Sequence, residues 1–483
     1  MAFAPADVLR LLPEIVLAIF GLVVMVADPF LERSRKHHLG TVALVGTIAA
    51  FAATAVQARY AGLGFSRMVN VDAFSIFLHF LLVLVTALTI LASFRYLDRE
   101  NIQFGEYYAL LLFATIGMGL MVTANELVLV FLGLEISSIA TYILAGFRRT
   151  ALRSNEAAMK YFLLGSFATA FLLYGIALMF GATGTTFLTD IRRVLETNQA
   201  NLTLTWMAIA LLFVGLAFKV ATVPFQVWTP DVYEGAPAPV TAFLSVGPKA
   251  AAFAAFLRIF FVALEPLATQ WFWLIWVSAV LTMFVGNLAA LVQTNVKRML
   301  AYSSIAHAGY ILIAFAAGKE FGVAAVLFYL VAYALMKLGA FTVVAHVSGP
   351  GEERLSIQDY AGLASHQPLV AACFSVFLFS LIGVPLTGGF LGKLYIFRAA
   401  LEGGSTWLVW LVVFGAINTA ISIYYYLRVV IAMYFREPVA EANLAPLPAS
   451  LAFVLTFAAL GTIYLGLASP VLQLATDSAL ALR

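Results

Sequence analysis

Apolar runs of about 17–25 residues recur along almost the whole chain, with short polar clusters between them. They fall near 11–28, 40–57, 73–94, 107–123, 126–147, 157–180, 205–228, 237–263, 270–292, 298–316, 321–346, 368–396, 406–434 and 449–470. Runs of this length suit a helix that crosses the hydrocarbon core, where every backbone N–H and C=O must be satisfied within the segment. The pattern therefore predicts an all-α integral membrane protein with about 14 transmembrane helices. Two runs are interrupted. One carries Val223-Pro224 and then Thr229-Pro230; the other carries Gly383, Val384-Pro385 and Gly388-Gly389. Proline removes a backbone donor and clashes with the preceding turn, and paired glycines let the backbone unwind. Each break has a lysine close by, Lys219 or Lys393. Broken helices at matching places in two halves predict two inverted five-helix repeats. The chain then divides into 1–105 (spans one to three), 106–264 (first repeat, spans four to eight), 265–436 (second repeat, spans nine to thirteen) and 437–483 (span fourteen).

Composition agrees. Hydrophobic residues make up 63% of the 483 and charged residues 11%, against about 25% charged in soluble proteins. A mean hydropathy of +0.99 leaves too little polar material to cover a water-facing surface. The net charge of +3, with no long Lys/Arg block, argues against nucleic acid as a partner. The one cysteine, Cys373, cannot form an intrachain disulfide, a four-cysteine cluster or a CxxC pair. With no GxGxxG and no P-loop, any redox cofactor belongs on another subunit. The first apolar run lacks a basic leader and a small-residue cleavage site, so it is expected to be a retained span. Basic clusters at Arg33-Ser34-Arg35-Lys36, Arg95/Arg99, Arg148-Arg149 with Arg153 and Lys160, Lys297-Arg298, Arg354 and Arg436 fall on one side of the predicted topology. The opposite loops hold Arg59, Arg67, Arg192 and Arg193. The positive-inside rule then puts both termini outside the cytoplasm.

The candidate chemistry is a set of ionisable residues inside the apolar runs: Glu135, Lys219, Lys249, His307, Lys337 and Lys393. Each charge at mid-membrane costs about 2.5–3.5 kcal/mol on insertion scales. As a set they point to an ion pathway. Structural salt bridges, or lysines snorkelling to the interface, are the other reading. Glu135, Lys219 and Lys249 lie too deep to snorkel; Lys337 does not. His307 suits a relay or a hydrogen-bonded structural role equally. Removal from water penalises the charged form of both lysine and glutamate, so such groups can exchange protons near neutral pH. If Glu135 pairs with Lys219, parting them drives the Lys219 proton towards Lys249, His307 and Lys337, ending at Lys393. The groups would titrate as coupled sites. Glu14 and Asp28 are expected at the interface. Asp72 and His79 read as interfacial or as an access route. Asp231 and Glu234, in a short loop, either gather protons or cap the loop. Arg258 is a counter-charge or a snorkelling end.

Three segments carry a resemblance. They are the run from Phe218 through Val223-Pro224, Trp228, Asp231 and Glu234 to Lys249; the run Arg298-Met-Leu-Ala-Tyr-Ser-Ser-Ile-Ala-His307-Ala-Gly-Tyr310; and Gly383-Val-Pro-Leu-Thr-Gly-Gly-Phe-Leu-Gly-Lys393. Together they resemble the antiporter-like membrane subunits of respiratory complex I, the N type most nearly. That pattern places a glutamate in span five, lysines in spans seven and eight, and a terminal lysine in span twelve. Glu135, Lys219, Lys249 and Lys393 stand there. The M type usually ends in glutamate, and the L type is longer with a lateral C-terminal helix. The resemblance implies a proton-pumping subunit of a bacterial inner-membrane NADH:quinone oxidoreductase, with M-like and K-like neighbours. FMN, Fe-S clusters and the quinone (ubiquinone or another) would sit on partner subunits, with no cofactor here. A subunit of an Mrp-type cation/proton antiporter is the alternative, and a purely structural membrane subunit is a third reading.

Overall fold

The computed structural model describes residues 5–32, 35–438, 445–467 and 470–482. Arg33 and Ser34 of the first basic cluster lie outside the described residues. The helices in chain order are α1 (Pro5–Arg10), α2 (Leu12–Ala27), α3 (His37–Gln57), α4 (Ala73–Arg99), α5 (Gly105–Thr123), α6 (Leu127–Ala145) and α7 (Leu152–Thr183). There follow α8 (Leu188–Glu196), α9 (Leu202–Val220), α10 (Thr229–Gly235), α11 (Ala238–Arg258), α12 (Ala268–Leu291), α13 (Val296–Ala316) and α14 (Lys319–Val347). The last are α15 (Leu363–His366), α16 (Pro368–Ile382), α17 (Gly388–Glu402), α18 (Thr406–Phe435), α19 (Ala449–Leu467) and α20 (Pro470–Ala479). Among the described residues, 13 helices are long and apolar enough to cross a membrane, and α16 is a shorter apolar helix. The chain is an all-α integral membrane protein.

Both predicted breaks are present. The run predicted over 205–228 is helical only to Val220. Ala221 then turns left-handed (φ +62°), and the chain resumes as α10. Gly215 lies inside α9, six residues before this turn. A Cβ there would meet Leu172 Cβ at 2.6 Å, so this glycine lets α9 approach α7. The run predicted over 368–396 is α16 followed by α17, with Gly383 (φ +95°) and Leu386 (φ +72°) turning the backbone between them.

The helix packing repeats along the chain. The pair α5–α6 is in close contact, and so is the pair α12–α13; α7 packs on α9 as α14 packs on α16 and α17. The centre is formed by α11, α13 and α14, buried along nearly their whole length. Peripheral helices keep bare apolar flanks, such as Phe167 and Tyr174 on α7 and Trp410 and Tyr424 on α18, as lipid-facing helices must.

Loops gather at two faces. On one, Lys36 pairs with Asp28 (2.8 Å), Arg148 with Glu100 (3.3 Å), Lys160 with Asp231 (2.7 Å), and Arg298 with Asp231 and Glu234 (2.8 Å each). Lys36, Arg148, Lys160 and Arg298 of the basic clusters thus share a face. On the other, a small antiparallel hairpin joins β1 (Gly62–Gly64) to β2 (Val69–Val71), with Gly62 opposite Val71. Short bridges tie Val69 to Ala124 and Glu126 to Phe187. The surface helix α8 lies on this face, burying Leu188, Ile191 and Leu195.

Candidate functional site

Five of the six predicted interior residues are buried: Lys219, Lys249, His307, Lys337 and Lys393 are each 4% exposed or less. The central helices supply Lys249 (α11), His307 (α13) and Lys337 (α14); α9 and α17 bring Lys219 and Lys393 from either flank.

The middle of the site is built on Ser303-Ser304 of α13. Lys249 Nζ donates to Ser304 O (2.8 Å) and Oγ (2.7 Å). Lys337 Nζ donates to Ser303 Oγ and to Leu300 O, both at 2.7 Å. Ser304 Oγ meets Tyr333 OH at 2.6 Å, and Ser303 Oγ bonds Tyr426 OH. His307 Nε2 lies 3.2 Å from that same Tyr426 hydroxyl, and its Nδ1 lies 2.5 Å from Tyr329 OH. Hydrogen bonds therefore run without interruption from Lys337 through Ser303 and Tyr426 to His307 and Tyr329. Lys337 is fully buried and does not snorkel, because α14 carries it to the centre of the bundle.

The two flanking lysines sit at the breaks. Lys393 Nζ reaches back to Leu381 O (3.2 Å) and Ile382 O (2.9 Å), carbonyls left without a helical partner where α16 ends. It also lies 4.5 Å from the centre of the Tyr310 ring. Lys219 occupies the last turn of α9. Its Nζ donates to Ser138 Oγ (2.8 Å) and Tyr161 OH (3.2 Å). Tyr161 stacks on Trp228 (4.5 Å between centres), and Trp228 Nε1 donates to Phe218 O across the first break. Tyr233 of α10 stands next to this group and close to Tyr161, Ser304 and Tyr333.

Glu135 does not pair directly with Lys219; among the described residues it makes no ion pair within 4.0 Å. It is half-buried, on the α6 flank that exposes Leu132, Ile136 and Ile139. Ser138, three residues on, is rotated about 60° from it on a helix and turns inward to take the ammonium. Among the described residues, none of Lys219, Lys249, Lys337 and Lys393 has a carboxylate partner. Hydroxyls hold Lys219, and hydroxyls together with backbone carbonyls hold the other three. Lys297 is the contrast: it is buried and pairs with Glu352 at 2.6 Å.

The secondary candidates divide. Asp231 and Glu234 belong to α10 rather than to a loop, and with Arg153, Glu156, Lys160 and Arg298 they line a cavity of about 220 Å³ on the basic face. Burial acts to raise the Asp231 carboxyl, but hydrogen bonds from Lys160 and Arg298 outweigh it and hold the group below its usual range. Ala157 lines the same cavity, one helical turn from Tyr161. Arg258 is a counter-charge. It is buried, pairs with Asp72 (2.7 Å) and donates to Val122 O (2.7 Å). Asp72 also caps α4. Asp28 holds Lys36 and accepts from Gly105 N (2.7 Å) between helix ends. Glu14 is buried among the helices: it is 5% exposed, and its Oε1 lies 2.6 Å from His79 Nε2.

Several linking residues escaped the sequence reading: Ser138, Tyr161, Ser303, Ser304, Tyr329, Tyr333 and Tyr426. Part of the signal was present. Tyr329, Tyr333 and Lys337 recur every four residues on one face of α14, as Ser303 and His307 do on α13. Tyr426 likewise follows Asn418 and Ser422 at spacing four on the buried face of α18.

Residues 124–421 match the family described as "NADH:quinone oxidoreductase/Mrp antiporter, TM". The chain is 51% identical to NADH-quinone oxidoreductase subunit N 1 of Solibacter usitatus, over 100% of this chain and 99% of that one. It superposes on a chain of respiratory complex I from Thermus thermophilus with bound aureothin at a TM-score of 0.79 and 35% identity, covering 94% and 97% of the two chains. It also superposes on a chain of the Mrp complex from Dietzia, at a TM-score of 0.86 over 98% and 97%. There the identity is 22%, so the likeness is one of fold.

Proposed function

Since the chain belongs to the NADH:quinone oxidoreductase/Mrp antiporter transmembrane family, we propose that it is the N-type, proton-translocating membrane subunit of a bacterial NADH:quinone oxidoreductase. It works in the inner membrane beside other membrane subunits, an M-like and a K-like one by analogy. Electrons pass from NADH through FMN and iron–sulfur centres to quinone on partner subunits, and this chain moves protons through Glu135, Lys219, Lys249, His307, Lys337 and Lys393. The Mrp-type reading is weaker because that likeness is one of fold, whereas the identity to an N-type oxidoreductase subunit is 51% along the whole chain.

One observation carries the relay. A structural role for interior lysines predicts a carboxylate at each, because a buried charge without a counter-charge is destabilising. Here four lysines instead face hydroxyls that can accept and pass a proton, Lys393 through Thr419 Oγ1 at 3.4 Å. In this reading Lys219 takes a proton from the basic-face cavity by way of Tyr161. The proton moves past Tyr233 to Ser304 and Lys249, then along Ser303, Tyr426 and His307 towards Lys393. Glu135, on the lateral flank of α6, acts on Lys219 through space rather than by contact. The division at 106–264 and 265–436 belongs to the same proposal and is supported by the two breaks and the repeated helix pairs.

The test is Lys219→Ala in the whole complex, in inverted membrane vesicles. Proton pumping, NADH-driven quinone reduction and the amount of assembled complex are followed together. An intact complex with both activities sharply reduced is the expected result. An intact complex with both unchanged would rule out Lys219 as a relay member.

A further inference from the structure

Away from the lysine chain, three N-terminal helices enclose a second acid–base pair. Glu14 of α2 and His79 of α4 meet with Oε1 and Nε2 2.6 Å apart, against Gly119 of α5. A Cβ at Gly119 would come within 2.9 Å of His79 Nε2, so the glycine makes room for the pair. The residues are 5% and 3% exposed. His79 Nδ1 lies 2.9 Å from Ser75 O. A backbone carbonyl only accepts, so Nδ1 carries a hydrogen. The Nε2–Oε1 contact then holds one proton, which belongs either to an imidazolium beside a carboxylate or to a neutral carboxylic acid beside a neutral imidazole. Both arrangements have zero net charge. Glu14 Oε2 is buried and, among the described residues, has no hydrogen-bond partner. As a carboxylate oxygen it can accept one further proton.

The charged groups around the pair are few. Arg258 of α11 and Asp72 at the foot of α4 are themselves paired at 2.7 Å, and Arg10 and Asp7 of α1 are paired at 2.7 Å. The titratable residues of α3 and α5, namely His37, His38, Glu106, Tyr107 and Tyr108, lie at the opposite ends of those helices. Asp72 is partly exposed and stands roughly 10 Å along α4 from His79, so the pair lies near one membrane face. A hinge between helices would need only a neutral hydrogen bond; a buried carboxyl with one oxygen unpartnered costs stability and suits a group that changes protonation.

We propose that Glu14 and His79 form a second proton-exchange site, which takes up a proton on the Glu14 carboxyl. The proposal rests on the reading of the chain as proton-translocating, but its test uses no pumping assay. Infrared difference spectra of the purified whole complex between alkaline and mildly acid buffer should show the carbonyl stretch of a buried carboxylic acid, lost in Glu14→Gln. His79→Gln should keep that band and shift the pH at which it grows. Where Glu14→Gln does not assemble, the shift in His79→Gln carries the test alone. Spectra identical among parent and variants would overturn the pair as a titrating site, whatever the Lys219 variant does.

Discussion

Tyr426 has no charge, yet it joins two parts of the site. Its hydroxyl meets Ser303, which holds Lys337, and it also meets His307. Replacing it with phenylalanine keeps the ring packing and removes the one atom that, among the described residues, connects the two. Positioned acid–base groups typically contribute about 10²–10⁴-fold to a rate. We therefore expect Tyr426→Phe to assemble normally and to slow NADH-driven quinone reduction and pumping by about tenfold or more. Rates equal to the parent would show that protons bypass His307. At this scale the sequence was informative about ionisable residues and poor on their neighbours. Charges stand out in an apolar run because they are costly there. Serine and tyrosine are ordinary in membrane helices, and only the folded chain separates Ser303 and Tyr426 from the rest. Glu135 shows the converse: sequence position placed it in the right span, but the turn of α6 points it outward.

The broken spans were legible because proline and glycine mark them, although the marks were not all where the chain breaks. Gly215 proved to be a contact point between α7 and α9, while the first break begins at Ala221. At the second break Gly389 matters for space. A Cβ there would collide with Ser380 O, and Gly389 N donates to Ser380 Oγ at 3.0 Å. Gly389→Ala should therefore force α17 away from α16 and leave little assembled complex on a native gel. Gly181→Ala on α7 is the control, since its nearest neighbour would be Leu204 Cδ1 at 3.9 Å; it should assemble like the parent. Equal assembly of the two variants would show that the second break tolerates repacking. The shorter elements were not foreseen. The hairpin β1–β2, α8 and α20 cannot be seen in a search for long apolar runs, and α8 would have needed its pattern of Leu188, Ile191 and Leu195 read at helical spacing.

Across the whole molecule, one buried carboxylate ties the basic face together. Glu352 accepts from Lys297 Nζ (2.6 Å), Tyr96 OH (2.7 Å) and Ala238 N (2.7 Å), joining α13, α4 and α11. Burial acts to raise this carboxyl, but the Lys297 ammonium and the three hydrogen bonds outweigh it and hold it below the usual range. Its contribution to stability is thus full above the ordinary carboxylate pKa of about 4.3 and is lost as the pH falls through the lower folded value. Glu352→Gln leaves a buried ammonium unpaired and should cost about 3–5 kcal/mol. Thermal unfolding in detergent should show the parent more stable at neutral pH, with the gap closing on acidification; a gap that does not depend on pH would contradict the ion-pair account. The second break has a consequence on the same scale. Lys393 rests on the open carbonyl end of α16, the negative pole of that helix. This seat welcomes a cation and repels an anion, so the sign of the last station is set by the direction in which the backbone runs. A glutamate in place of Lys393 would lose this attraction, typically about 0.3–1 kcal/mol for a charge at a helix end, and could bond those carbonyls only in its protonated form.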